Sequence, residues 1–104
     1  MKDTITLKGV QAVDVYKEVI GFMAVNGYNL YPCVEPVKIV GKKKGGGMGG
    51  FAIPMMGAEL EVGFWQQGDD LTMVLDFNNA GRSDADTVKG LVFSKFGQKK
   101  TGKS

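Results

Sequence analysis

The chain has 104 residues, is 43% hydrophobic, and carries 13 basic against 11 acidic side chains for a formal charge of +2, with one cysteine and no histidine. That size fits one domain with one modest core and leaves no room for two. The composition argues against global disorder, a lone cysteine excludes an internal disulfide, and the lack of histidine removes the commonest general base and metal ligand.

Thr4 to Lys8 alternate Thr-Ile-Thr-Leu-Lys, which predicts a half-buried strand with Ile5 and Leu7 inward. From about Gln11 to Asn26 the period changes to that of a helix. Ala12, Tyr16, Val19, Ile20 and Met23 share one face, and Asn26-Gly27 is a C-terminal stop. Val15, Val19 and Phe22 form an adjoining apolar stripe, wider than a single sheet contact needs. Two explanations follow. The helix is buried on two sides within its own domain, or this stripe is a self-association surface.

Residues 29–40 read as extended, but Pro32 and Pro36 place that strand at an edge or delay it to Val37–Val40. Six of the ten residues 41–50 are glycine, and Phe51-Ala-Ile-Pro-Met-Met-Gly57 follows. Such backbone loses much entropy on ordering, so 41–57 is expected to be a long flexible loop. Ala58–Gln67 alternate again, with Leu60, Val62 and Phe64 on one face and Glu59, Glu61 and Trp65 on the other. After a turn at Gly68-Asp69-Asp70, Leu71, Met73, Leu75 and Phe77 point inward, completing a hairpin. Ser83-x-x-Asp86 has the form of a capping box ahead of a second helix, about 84–96, with the stripe Ala85, Val88, Leu91, Val92 and Phe96.

The expected fold is α+β: a single layer of helices on a small, mostly antiparallel four-stranded sheet, in the order β-α-β-β-β-α. It forms one domain over 1–97, with a basic, disordered tail at 98–104. If the first two strands are parallel in the sheet, their connection is a right-handed crossover.

No run of about 18 apolar residues is present to span a membrane. The first residues alternate rather than form an apolar signal block, so a cytoplasmic location is the default expectation. Seven of the basic residues sit in two segments, Lys42–Lys44 and Lys95, Lys99, Lys100 and Lys103. The rest of the chain is left acidic, with six basic side chains against 11 acidic ones.

Several motifs carry possible chemistry. Lys42, Lys43 and Lys44 beside the glycines could neutralise phosphates, with Phe51 and Trp65 as stacking surfaces, or could simply keep an edge soluble. Met48, Phe51, Met55 and Met56, with Trp65, suit an adaptable protein-binding surface, although the same loop could instead complete the core. Cys33 lies in an apolar stretch, as a buried structural thiol would. Glu59 and Glu61 share a strand face roughly 7 Å apart, but no third ligand is placed by spacing, so a solvated sheet face is expected rather than a metal site. Gly97 to Ser104 match the phosphate-loop pattern G-x-x-x-x-G-K-S. That pattern needs a strand before it and a helix after it, whereas here a helix precedes it, so the match is read as chance.

With only Ser83, Ser94 and Ser104 as serines and no histidine, no Ser/His/Asp or Cys/His hydrolase can be assembled from this chain alone. The sequence therefore reads as a non-enzymatic interaction module without cofactor. It is expected to self-associate, through Val15, Val19 and Phe22 or through the loop, and to bind a protein partner with 41–57. The alternatives are a sequence-independent nucleic-acid binder using Lys42–Lys44, and a small-ligand or anion sensor using glycine amides as donors.

Overall fold

The computed structural model of the chain describes residues 1–31, 33–43 and 57–96. The elements run β1 (Lys2–Lys8), α1 (Ala12–Val25), β2 (Asn29–Leu30), β3 (Lys38–Lys43), β4 (Ala58–Gln67), β5 (Asp70–Phe77), a 3-10 turn (Asn79–Gly81) and α2 (Arg82–Lys95). The strands form one antiparallel sheet ordered β1-β5-β4-β3-β2, and the fold is α+β.

The sheet has five strands rather than four. Asn29 and Leu30 pair with Lys42 and Gly41, a two-residue ladder too short to leave an alternation signal. Three antiparallel pairings separate β1 from β3, the strand expected near Val37–Val40, so those two run antiparallel and the condition for a right-handed crossover between them is not met. The proline-bearing stretch delays β3 to Lys38, though the Val37 carbonyl already accepts the Phe64 N–H at 2.7 Å. β3 also runs on to Lys43, so the first three residues of the 41–57 segment are strand and not loop. Their cross-strand partners Leu60, Glu59 and Ala58 hold them in register.

The β4–β5 hairpin turns in two residues. Gln67 pairs with Asp70, and Gly68 adopts a φ of 59°, the left-handed conformation that glycine supplies to primed hairpin turns. Leu60, Val62, Phe64, Leu71, Met73, Leu75 and Phe77 then point to one face, all buried, with Leu7 and the half-buried Ile5 of β1 beside them.

Both helices cover that face. α1 touches β3 and β4 beneath it and α2 at its side, and Tyr16 packs on Phe64 with ring centroids 5.7 Å apart. This two-sided contact accounts for the wide apolar stripe of α1. Val15 and Val19 are completely buried, and Phe22 packs partly buried against the core. The expectation that Val15 and Val19 present a self-association surface is therefore overturned: the domain's own second helix and sheet occupy the stripe. Ala85, Val88 and Val92 complete the core from α2.

Polar side chains fix where the helices begin. Gln66, on the inward face of β4, accepts the Ala12 N–H through Oε1 at 2.6 Å and donates to the Val10 carbonyl at 2.9 Å. It thus caps α1, whose own N-cap residue Gln11 makes no side-chain capping bond. The capping box at Ser83 and Asp86 does not form, because α2 starts at Arg82 with both residues already inside it. Asn78 serves instead. Its Oδ1 accepts the N–H groups of Gly81 at 2.9 Å and Glu59 at 3.1 Å, and its Nδ2 donates to the Gly57 carbonyl at 2.8 Å.

Candidate functional site

With both helices on one face, the other face of the sheet has no layer of this chain over it among the described residues. Strand alternation places Glu59, Glu61, Gly63 and Trp65 of β4 there. Lys38, Val40 and Lys42 of β3 flank them on one side, with Thr72, Val74 and Asp76 of β5 on the other.

The middle of this face is a shallow groove lined by Val37, Lys38, Gly63, Trp65, Thr72 and Val74, with Lys2, Glu61 and Asp76 at its margin. Gly63 creates it. A β carbon there would meet nothing closer than the Val74 carbonyl oxygen at 4.0 Å, so the missing side chain leaves a depression and relieves no crowding. Next to the depression Trp65 stands 66% exposed and Val37 52% exposed. A large ring beside a notch, ringed by charged groups, has the layout of a recognition surface: an apolar anchor with a polar rim.

The charges are arranged by strand. β3 carries Lys38 and Lys42, and β4 carries Glu59 and Glu61. Lys38 Nζ reaches Glu61 Oε2 at 2.7 Å, and Lys42 stands opposite Glu59 in the ladder. Lys42 also lies over the Tyr31 ring, 5.6 Å from its centroid.

Lys42 and Lys43 are consecutive in a strand, so they emerge on opposite faces. Lys43 turns toward the helices, where its Nζ contacts Asp84 Oδ2 at 3.1 Å and sits 4.8 Å from the Tyr28 ring centroid. Tyr28 donates its hydroxyl to the same Asp84 oxygen at 2.7 Å. Burial first, then this hydrogen bond to a carboxylate, pushes the Tyr28 phenol above its ordinary value of 10.0. The three side chains tie the end of β3 to the first turn of α2, where the Asp84 carboxylate also complements the helix dipole. The sequence cluster of lysines thus does not make one basic patch from these two residues.

Of the other anticipated site residues, Lys44, Met48, Phe51, Met55 and Met56 lie outside the described residues, as do the glycine run and the tail pattern Gly97–Ser104. Phe22 lines a groove between the helices with Val25 and Leu91. Cys33 is half-buried rather than buried, and its thiol donates to the Tyr31 carbonyl at 2.9 Å. Among the described residues no group of three acidic or cysteine side chains is placed to hold a metal ion, and no helix is long and apolar enough to cross a membrane. The roles of Gln66, Asn78, Tyr28 and Asp84 were missed. Gln66 alone had a visible signal, its parity with Leu60, Val62 and Phe64.

The chain matches no protein-family model, and comparison with curated proteins and with solved structures finds no significant match.

Proposed function

We propose that the chain is a non-enzymatic interaction module that binds a protein partner through the uncovered face of its sheet. The observation that carries this reading is Trp65, two-thirds exposed beside the Gly63 depression and bordered by Val37 and Val74. An exposed tryptophan next to an open notch gives a partner both a ring to cover and a recess to fill, and tryptophan is enriched among residues that dominate binding energy. The chain's lack of histidine supports a binding role over general acid–base chemistry.

A nucleic-acid role has weaker support. Glu59 and Glu61 stand beside Lys42 and Lys38, so a phosphate approaching either lysine meets a carboxylate one strand away.

Affinity capture with the tagged chain, compared with its Trp65→Ser variant, tests the reading. It expects a protein recovered in stoichiometric amount by the wild-type chain, rebinding once purified, and lost with the variant. Equal recovery of the same protein by both baits would remove Trp65 from the interface and sink the proposal. Recovery of nucleic acid alone, released by salt, would transfer the role to the lysines.

A further inference from the structure

The partner of this face can be named from its charge pattern, given the reading of the face as a recognition surface on which this step rests. We propose that it is a second copy of the chain, docked outer face to outer face about a two-fold axis running along the boundary between β3 and β4.

A two-fold contact requires a patch that complements itself. On this face β3 is the basic strand, with Lys38 and Lys42, and its neighbour β4 is the acidic one, with Glu59 and Glu61. An axis parallel to the strands and midway between them lays β4 of each copy over β3 of the other. The carboxylates then face ammonium groups in both directions. A partner surface of a single charge sign would be repelled by one of the two strands, whereas a second copy satisfies both.

The Lys38–Glu61 contact at 2.7 Å within each chain brings those charges into the interface already paired, so neither is left alone when water is excluded. The same docking sets Trp65 of each copy over the start of the partner's β3, where Val37 is exposed. Two twisted sheets stacked with nearly aligned strands form an ordinary sandwich, and this one covers the face that the helices leave open.

The test uses two charge-reversed chains, Lys38→Glu/Lys42→Glu and Glu59→Lys/Glu61→Lys, followed by sedimentation velocity from micromolar to millimolar concentration. All four side chains are exposed or half-exposed, so the fold is expected to survive, as circular dichroism would verify. The wild-type chain should dimerise. Each variant alone should dimerise at least about tenfold more weakly, because its β3 and β4 then carry charges of one sign, and an equimolar mixture of the two should recover a heterodimer. Trp65 is the chain's one tryptophan, so its emission should shift to shorter wavelength as the wild-type dimer forms.

A wild-type chain that stays monomeric throughout, or variants that associate as well alone as when mixed, would overturn the second-copy assignment. The two proposals fail separately. A monomeric chain that still captures a different protein through Trp65 loses only the second copy. A wild-type chain whose dimer is untouched by Trp65→Ser and by both charge reversals loses the outer face as well.

Discussion

A β carbon placed on Gly81 would lie 2.6 Å from the backbone carbonyl oxygen of Glu59. The 3-10 turn ahead of α2 is therefore pressed directly onto the start of β4, with Asn78 bonded to both. The Gly81 backbone, at φ −91° and ψ −1°, is one that alanine can adopt, so crowding alone penalises a side chain there. Gly81→Ala should destabilise the domain by about 1–3 kcal/mol, read from denaturant midpoints. Gly90 is the matched control: it lies in α2 with open space around it, and Gly90→Ala should stabilise by about 0.5–1 kcal/mol.

Removing the Gln66 side chain takes the cap from α1. Gln66→Ala leaves the Ala12 N–H and the Val10 carbonyl without their partner, and a loss of about 1–3 kcal/mol is expected. The denaturation midpoint should fall with an unchanged m-value, since the folded state stays as compact. A midpoint within error of the wild type would show that water replaces the cap at no cost.

The sequence carried the fold further than it carried the site. Alternation in Ala58–Phe77 and helical spacing in Ala12–Met23 are repeated signals, and both elements formed where the spacing put them. The Asn29–Leu30 strand is too short to alternate, and Ser83-x-x-Asp86 was overridden by Asn78, whose bonds reach 19 residues back along the chain to Glu59. Trp65 on the outer face was legible from strand parity. The separation of Lys42 from Lys43 was not, because the glycines beside them hid the strand that sends them to opposite faces. Tyr28, Lys43 and Asp84 meet only because the sheet edge abuts the helix end, a relationship with no local pattern.

The Tyr28–Asp84 bond predicts a one-sided pH dependence. Folding raises the Tyr28 value above its unfolded one of 10.0, through burial and then the Asp84 bond. A raised value means the contribution is fully present below pH 10.0 and is lost as pH climbs toward the folded value. The stability difference between wild type and Tyr28→Phe should be flat below that point and shrink above it, by at most about 1.4 kcal/mol per pH unit. Denaturant titrations well below and well above the ordinary tyrosine range check this. A difference that already shrinks at neutral pH, or that stays constant through the tyrosine range, would contradict this dependence.

Val19 separates core from interface. With its side chain completely buried, Val19→Ala should cost about 1.5–3 kcal/mol in stability while leaving the oligomeric state unchanged when folded. Calorimetry and sedimentation on the same sample give both readings. A folded variant whose assembly state changes would return the α1 stripe to consideration as a contact surface.

If recognition occurs on the open sheet face, hydroxyl-radical footprinting of the chain alone and in its complex will show it. Trp65 and Val37 are exposed on the sheet side, and Val25, 86% exposed, reports on the helical side. Oxidation of Trp65 and Val37 should fall sharply in the complex while Val25 is modified at the same rate. Protection of Val25 with Trp65 as reactive as in the free chain would place the interface on the helices and not on the sheet.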